Sequence, residues 1–315
     1  MSTEPTRLKV RISQKREIAN QLHFFELTAA DGKPLPVVHP GDHITVETPS
    51  GDNRRYSLAS VSENKMSYCI VVKREADGRG GSISMADNTE VGDELNISDP
   101  NSEFDFVDGA KYLLIAGGIG ITPIYSMWQY LVENDHPDFQ LIYLTRTPED
   151  TAFAQEFKES KYHARVHIHH SQGGRFDFWD LLMTPSEKHV YCCGPKSLID
   201  EIKDMTGHWP KRLIHFEDFA PVKAIRADDK SFTVRLKSND QVIEVGERET
   251  LLHALRQQGH RIQSSCESGT CGSCKVTYVN GVVDHRDLVL EPKERKDKIM
   301  VCVSRSAGEE ILLDL

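Results

Sequence analysis

The sequence predicts a multidomain protein with an antiparallel β-barrel, then an α/β domain with a parallel sheet, then a small α+β domain. Three observations predict this class. Short β-branched runs fill the first third of the chain, strand-like and helix-like segments alternate after Lys111, and four cysteines of the last third share a characteristic spacing. With 315 residues, the chain is also too long for one ordinary domain.

The N-terminal region, residues 1–107, has the pattern of an antiparallel barrel. Its apolar runs are short, and turn residues such as Pro40-Gly41-Asp42 separate them. Several short strands with such turns between them favour a closed antiparallel sheet. The predicted strands are Leu8–Ile12, His23–Leu27, His43–Glu47, Ser67–Lys73 and Glu94–Ile97.

Residues 108–222 have a different pattern. Tyr112–Ala116 is a continuous apolar run, which is typical of a strand buried on both faces. A helix is predicted from Pro123 to about Glu133, and alternation of strands with helices indicates a parallel sheet. The further predicted strands are Gln140–Thr145, Arg165–His170 and His189–Cys193, and the further helices are Thr151–Lys158, Phe178–Leu182 and Lys196–Met205.

Residues 223–230 are predicted to form a linker, and residues 231–315 a third domain. One helix, Thr250–Gln258, lies among short strand-like runs. The predicted strands are Ser231–Lys237, Gln241–Val245, Lys275–Tyr278, Lys298–Val303 and Glu310–Leu313.

Four of the seven cysteines follow the spacing C-x4-C-x2-C-x27-C. This spacing matches the plant-type ferredoxin arrangement, in which four thiolates hold a [2Fe–2S] cluster. Gly269 and Gly272 suit a loop that wraps tightly, because glycine tolerates positive φ. The alternative is a structural zinc site, although zinc ligands more often come as two short C-x2–4-C pairs. The predicted ligands are Cys266, Cys271, Cys274 and Cys302.

A glycine-rich turn, Gly117–Pro123, follows a buried strand and opens a helix. Glycines allow close backbone approach, and a helix N-terminus offers free N–H groups to a phosphate. Cys193-Gly194-Pro195 and Thr145-Arg146 end other strands of the same sheet, at the edge where open α/β sheets bind ligands. Taken alone, the turn also fits an ordinary strand–helix connection, and Arg146 also fits an exposed surface pair.

Two segments of the barrel are suited to an anion. Arg54-Arg55-Tyr56-Ser57-Leu58 combines arginines, which pair bidentately with phosphate, with an aromatic ring. Gly78–Ser82 is a basic, glycine-rich loop. Each also fits an ordinary strand or turn.

Charge and hydropathy exclude some classes of function. A net charge of −10 argues against nonspecific binding of nucleic acid, which needs a basic face. No apolar run approaches the roughly 20 residues of a membrane span. The segment Met1–Arg16 has no apolar signal-peptide core, so we expect a cytoplasmic protein, and we expect it to be a monomer.

These motifs in this order resemble those of the ferredoxin-NADP⁺ reductase superfamily. They are R-x-Y-S at Arg54–Ser57, G-G-S at Gly80–Ser82, G-G-x-G-x-T-P at Gly117–Pro123 and C-G-P at Cys193–Pro195. With a plant-type ferredoxin at the C-terminus, the chain resembles the phthalate dioxygenase reductase family from about Thr6 to Leu315. The resemblance implies an FMN-binding β-barrel, an NAD-binding α/β domain and an α+β ferredoxin domain of the β-grasp type.

The resemblance also implies site residues. No acid, base or nucleophile is needed, since the cofactors carry the chemistry, and Cys193 and Thr122 are expected near the nicotinamide and the flavin. The implied FMN residues are Arg54, Tyr56, Ser57, Val71, Val72, Lys73, Gly80, Gly81, Ser82, Thr122 and Phe219. The implied NAD residues are Gly118, Gly120, Thr122, Pro123, Thr145, Arg146, Cys193, Gly194 and Pro195.

The implied function is transfer of electrons from NADH through FMN and the [2Fe–2S] cluster to a Rieske-type oxygenase, which would bind the organic substrate. The acidic Pro148-Glu149-Asp150 favours NADH over NADPH. We expect Glu267, Ser268 and Thr270 on an exposed docking loop. Two alternatives are an FAD-containing NAD(P)H reductase for another acceptor and a non-catalytic iron–sulfur sensor.

Overall fold

A computed structural model describes residues 7–60, 66–76, 78, 80–219 and 224–315. The chain divides into two compact units, Met1–Phe219 and Ala220–Leu315. Arg79 of the predicted phosphate loop lies outside the described residues, and so do residues 220–223, which span the predicted boundary between the α/β domain and the linker.

The first unit begins with the predicted barrel. Neighbouring strands pair antiparallel in the order β4-β3-β6-β1-β2-β5, and β7 pairs with β3. A bridge between Leu58 and Ile70, and a 2.7 Å bond from the Ala59 N–H to the Cys69 carbonyl, join the region after β4 to β5 and close the barrel. The elements are β1 (Arg7–Ala19), β2 (Leu22–Ala29), β3 (Asp42–Glu47), β4 (Asn53–Ser57), β5 (Ser67–Lys73), α1 (Gly81–Asp87), β6 (Glu94–Ser98) and β7 (Asn101–Ser102).

β1, β2, β3, β5 and β6 match the five predicted barrel strands, and β4 and β7 are strands that were not predicted. Two further features differ. β1 extends to Ala19 because it continues past an irregularity between Ile12 and Gln14 and forms a long hairpin with β2. The loop predicted at Gly78–Ser82 becomes helical at Gly81, directly after Gly80 in a left-handed conformation.

The second part of the unit is a five-stranded parallel sheet of order β10-β9-β8-β11-β12. β9 and β10 lie on one side of β8 in the sheet, and β11 and β12 lie on its other side. The predicted alternation is confirmed, and β12 adds a strand that the sequence pattern did not predict. The elements are β8 (Tyr112–Gly117), α2 (Ile121–Glu133), β9 (Phe139–Thr145), α3 (Ala154–Glu159), β10 (Val166–His170), α4 (Trp179–Leu182), β11 (His189–Gly194), α5 (Lys196–Met205) and β12 (Ile214–Asp218).

Tyr191 of β11 ties the sheet to the segment that leaves the barrel. Its hydroxyl accepts a bond from the Val107 N–H (2.8 Å) and donates one to the Asp105 carbonyl (3.2 Å). Its buried ring stacks on His215 of β12, with centroids 4.2 Å apart. Barrel residues such as Val71 share one apolar core with α2 and this face of the sheet.

The second unit has its own apolar core and a mixed sheet of order β14-β13-β19-β15-β17. β13 and β19 are parallel, and the other neighbours are antiparallel. The Thr250 hydroxyl caps its helix by accepting the His253 N–H. The elements are β13 (Phe232–Leu236), β14 (Val242–Val245), α6 (Leu251–Gln257), β15 (Lys275–Asn280), β16 (Val283–Asp284), β17 (Lys298–Met300), β18 (Arg305–Ser306) and β19 (Glu310–Leu313).

Two details of this unit differ from the sequence prediction. The strand predicted over Lys298–Val303 ends at Met300, so Cys302 lies in the turn that follows. Ala224, inside the predicted linker, is buried in the core of the second unit.

None of the helices in the described ranges has the length and hydropathy of a bilayer-spanning helix.

Candidate functional site

The carboxyl ends of β8 and β11 bring two glycine-containing segments together. A Cβ atom added to Gly120 would lie 2.3 Å from the Cys193 carbonyl oxygen, and one added to Gly117 would lie 2.7 Å from Cδ of Pro195. Only glycine permits these approaches. The chain direction across the sheet reverses between these two strands, which is where open α/β sheets bind ligands.

The N-terminus of α2 is presented at this crevice. Gly118 has a φ of +53°, and an added Cβ would meet no described atom within 4 Å. Among the described residues, no side chain caps the first turn of α2, so backbone N–H groups face the turn. Thr122 donates from Oγ1 to the Ile119 carbonyl (3.1 Å) and, like Pro123, is buried. Gly118 and Gly120 therefore stay the predicted pyrophosphate contacts, and Thr122 and Pro123 shape the turn.

Thr145 and Arg146 diverge at the end of β9. The Thr145 hydroxyl is buried and bonds to Thr151 Oγ1 and to Nδ1 of His170, each at 2.9 Å. Arg146 is exposed. Of the two predicted nucleotide contacts, Arg146 is the side chain that can reach a ligand, whereas Thr145 supports the strand end.

The two adjacent cysteines of β11 face opposite sides of the sheet. Cys193 lies in the core shared with α2 and the barrel, and Cys192 lies in the core under α5. Burial raises the pKa of Cys192 to about 12 and that of Cys193 well above its ordinary value. Both thiols therefore stay protonated, and Cys193 is the one on the side of the predicted nicotinamide.

Glu217 is a buried carboxyl that the sequence prediction did not place in the site. It pairs in register with Cys193 across β11 and β12. Its Oε2 atom is buried and has no hydrogen-bond partner in the described part of the chain. Burial raises its pKa to about 8, against a smaller opposing effect of Arg55. Glu217 can therefore hold a proton beside Cys193 at neutral pH.

Glu217 also makes a testable contribution to stability. The carboxyl titrates at 4.5 when exposed and at about 8 in the fold, so the folded state binds the extra proton between these values. The stability of the wild-type unit should therefore fall as pH rises through this window. We expect Glu217→Gln to lose this fall and to gain a few kcal/mol relative to wild type by pH 8. Urea unfolding followed by flavin fluorescence at pH 5 to 8 measures it, and a difference that does not change with pH would contradict the assignment.

Arg54, Tyr56 and Ser57 line β4, next to the start of α1. A Cβ atom on Gly81 would lie 2.7 Å from Nε of Arg54, so the guanidinium lies directly on this glycine. The buried Tyr56 hydroxyl has no hydrogen-bond partner within the described ranges. Arg54, which also pairs with Asp52 at 3.2 Å, lies beside a glycine backbone and suits the phosphate of the predicted FMN. The ring of the predicted FMN can offer the Tyr56 hydroxyl a hydrogen-bond partner.

The remaining predicted FMN residues separate into different environments. Val71 lies in the core shared with α2, whereas the Val72 side chain lies in the barrel core and Lys73 is exposed. Ser82 Oγ accepts a 3.1 Å bond from the Glu75 N–H, and Phe219 is 37% exposed. Because Val71 and Val72 point to opposite faces of β5, their side chains cannot both contact one ligand. All of these assignments stay predictions.

The four cysteines of the second unit approach as two pairs. Cys266 interacts electrostatically with Cys271, and Cys274 interacts with Cys302. The Cys271 thiol is the main cause that lowers the pKa of Cys266 to about 3, and Ser268 and Thr270 add bonds to its sulfur. The same interaction raises the pKa of Cys271, so the stabilisation of a Cys266 thiolate from outside the pair comes from Ser268 and Thr270.

This pairing fits a [2Fe–2S] cluster, in which each iron takes two protein thiolates. Gly269 and Gly272 have φ values of +79° and +78°, so the loop needs glycine at both, as predicted.

Glu267 is not on an exposed docking surface, so that expectation is wrong. Its side chain is 7% exposed and pairs with Nη1 of Arg256 at 2.8 Å. Its backbone has a φ of +49°, a left-handed conformation that turns the side chain toward α6. Ser268 and Thr270 are partly exposed.

Comparisons with known proteins agree with this division of the chain. Residues 114–204 match the family described as oxidoreductase NAD-binding domain. Residues 234–307 match the family described as 2Fe-2S iron-sulfur cluster binding domain.

Similarity to whole proteins extends over almost the entire chain. The chain is 44% identical to phthalate dioxygenase reductase of Burkholderia cepacia, covering 98% of this chain and 97% of that protein. It is equally identical to the phthalate 4,5-dioxygenase oxygenase reductase subunit of Pseudomonas putida, with 97% and 96% covered. A solved structure of phthalate dioxygenase reductase superposes with a TM-score of 0.88 over 98% of each chain. The chain therefore belongs to the phthalate dioxygenase reductase family.

Proposed function

We propose that this protein is the reductase component of a Rieske-type oxygenase system. It takes electrons from NADH and passes them through FMN and a [2Fe–2S] cluster to the oxygenase. The observation that carries the proposal is the combination of sites in one chain. The first unit has a nucleotide crevice and a barrel in which Arg54 and Tyr56 suit an anion and a ring, and the second unit has four cysteines in two pairs. Similarity to reductases over the whole length supports the same order.

In the first unit, the residues bind and orient the reactants. Gly118 and Gly120 bring backbone N–H groups to the dinucleotide phosphates, and Arg54 pairs with the flavin phosphate. The neutral Cys193 thiol and the protonated Glu217 keep charge away from the crevice floor. Bound FMN supplies the chemistry that residues cannot, since it accepts two electrons as hydride and releases them singly.

In the second unit, the residues hold the cluster and set its electrostatics. Two thiolate pairs bind the irons, and the N–H of Ser268 and the hydroxyl of Thr270 donate to sulfur, each at 3.4 Å. Such donors help to set the reduction potential.

Anaerobic mixing with NADH tests the proposed route. We expect rapid bleaching of the flavin absorbance, then reduction of the cluster with an electron paramagnetic resonance signal of one unpaired electron. A flavin that NADH does not bleach would leave only the sensor function. Extracted flavin that runs with FAD rather than FMN on chromatography would instead favour the FAD-containing alternative.

We propose an oxygenase of aromatic carboxylates as the acceptor. Support comes from the 44% identity to two reductases whose names specify phthalate oxygenases. Purified oxygenases of the phthalate and the methoxy-aromatic classes, supplied with NADH and this reductase, separate the classes by product formed. Faster turnover with the methoxy-aromatic enzyme would contradict this choice.

We also propose NADH over NADPH as the donor. Glu149 and Asp150 lie just after the exposed Arg146, and their negative charges oppose a 2′-phosphate. Steady-state rates with both nucleotides test this, and a preference for NADPH would overturn it.

We further propose that the protein is cytoplasmic, because the cytoplasm supplies NADH, and that it is a monomer. Light scattering at micromolar concentration measures the molecular mass and so checks the oligomeric state.

A further inference from the structure

Glu267 has a backbone conformation that its residue type does not favour. Its φ is +49°, and among the described non-glycine residues with positive φ it is the one that directly follows a predicted cluster ligand. A left-handed conformation costs free energy in any residue that has a Cβ atom. That cost persists only where the surrounding structure holds the residue in place. The contacts of Glu267 should therefore show what holds it.

Arg256 of α6 holds the Glu267 side chain. Its Nη1 atom donates to Oε1 of Glu267 at 2.8 Å, and the Ser264 hydroxyl donates to the same oxygen at 2.7 Å. Nη2 of Arg256 donates to the Ile262 carbonyl at 3.2 Å and also to the Ser264 hydroxyl. We call Arg256, Ser264 and Glu267 the carboxylate network. This network fixes the chain on both sides of Cys266 to α6.

The conformation of Glu267 decides where the next peptide N–H points. The N–H of Ser268 donates to Sγ of Cys266 at 3.4 Å. Rotation of φ at Glu267 to an ordinary negative value would turn the peptide between residues 267 and 268, and its N–H would leave the sulfur. A donor at a ligand sulfur stabilises the extra negative charge of a reduced cluster, so it raises the reduction potential.

Stability alone does not explain the carboxylate network. Glu267 is 7% exposed, and taking a paired charge out of water costs free energy that its attraction to the partner barely offsets. Apolar side chains of similar size would serve the core at least as well. The bonds of the network end instead on residues that border Cys266. They therefore fix the conformation of the loop at its first predicted ligand.

We propose that Arg256 and Glu267 are positioning residues that hold the Ser268 N–H on the sulfur of Cys266 and thereby raise the reduction potential of the cluster. The inference rests on the proposed function, in which the cluster receives single electrons from the flavin. That step moves one electron from reduced flavin to oxidised cluster and forms no bond. A higher potential at the cluster makes this transfer more favourable, so the network favours the outward flow of electrons.

Three substitutions of Glu267 that leave the same net charge test the proposal in the intact holoenzyme. Glu267→Gly adopts a positive φ without cost, and Glu267→Gln keeps an oxygen that can accept from Arg256. Glu267→Ala has neither property, so the Ser268 N–H should leave the sulfur in this variant. Dithionite and redox mediators set the potential, and the paramagnetic resonance signal measures the reduced cluster. At one set potential, we expect the ratio of reduced to oxidised cluster to be roughly three- to tenfold lower in Glu267→Ala than in the other two.

Arg256→Met tests the arginine in two of these backgrounds. Its combinations with Glu267→Gln and with Glu267→Gly have the same net charge as each other. Glutamine at position 267 then lacks the guanidinium that held it, whereas glycine needs no holding bond. The ratio of reduced to oxidised cluster should therefore be lower in the glutamine combination by a similar factor. This comparison decides the proposal if iron and sulfide analysis shows that Glu267→Ala does not assemble a cluster.

Equal potentials would overturn the proposal in either comparison, between Glu267→Ala and Glu267→Gly or between the two double variants. A purely structural role of the network predicts that result, with only the midpoint of thermal unfolding or the iron content lowered. Because dithionite replaces NADH in the titration, the measured potentials do not depend on the nucleotide or on the flavin. Absent flavin bleaching by NADH in wild type would instead refute the proposed function.

Discussion

Replacing Cys302 with alanine is expected to remove the iron–sulfur cluster and leave flavin reduction by NADH intact. Cys302 is 1% exposed and pairs with Cys274, so its loss leaves one iron with a single protein thiolate. The ligand lies in the second unit, and the flavin and nucleotide residues lie in the first. Iron and sulfide content, the part of the visible absorbance that belongs to the cluster and product formation with the oxygenase should all fall to background, whereas the flavin absorbance stays.

A buried cysteine of the first unit provides the matched control. Cys192 is as inaccessible as Cys302, yet it lies under α5. Cys192→Ala should keep the cluster and support the oxygenase at the wild-type rate. A Cys302→Ala protein that retains a full cluster would refute the assignment of Cys302 as a ligand. It would also contradict the proposed role of this site in passing single electrons to the oxygenase.

Replacing Gly120 with alanine is expected to slow flavin reduction by NADH on the order of 100-fold, since misplacing reactants by about 1 Å has such effects. The new Cβ atom would lie 2.3 Å from the carbonyl oxygen and 2.5 Å from the carbonyl carbon of Cys193. Both contacts are with backbone, which cannot rotate away as a side chain would. The strand end that carries Cys193 must therefore move. Stopped-flow bleaching measures the effect, and thermal unfolding of the first unit should show a lower midpoint.

Gly173→Ala tests whether the effect depends on this approach. Gly173 has an ordinary φ, and no described atom lies within 4 Å of its added Cβ. It should reduce its flavin at the wild-type rate. Equal rates in the Gly120 and Gly173 variants would show that the contact between the two strand ends does not shape the crevice.

Much of the fold followed from local patterns. Four cysteines at a fixed spacing, a glycine turn after an apolar strand, and strands alternating with helices each depend on residues near one another in the chain. Lys196–Met205 and Glu310–Leu313 were predicted to the residue, because each is an amphipathic or alternating run between clear turns. Cys302 as a ligand also followed from spacing, although its predicted strand ends two residues earlier.

Other features depend on contacts between distant segments, which spacing does not reveal. Glu217 belongs to the site because β12 pairs with β11, and its sequence neighbours are equally polar and aromatic. Asp229 and Arg286 are 57 residues apart in the chain, so the sequence of the predicted linker did not indicate that Asp229 pairs with Arg286. The charge of Glu267 predicted an exposed side chain, whereas the side chain is buried and forms an ion pair with Arg256.

The hydroxyl of Tyr191 joins the end of the barrel to the same strand that carries Cys193. Hydride transfer demands that donor and acceptor atoms touch in one alignment, so errors of a fraction of an ångström matter. An electron tunnels, and it tolerates a range of separations and orientations. The bonds of Tyr191 that hold the barrel segment to β11 therefore provide the closest positional control at the step in which an atomic nucleus moves.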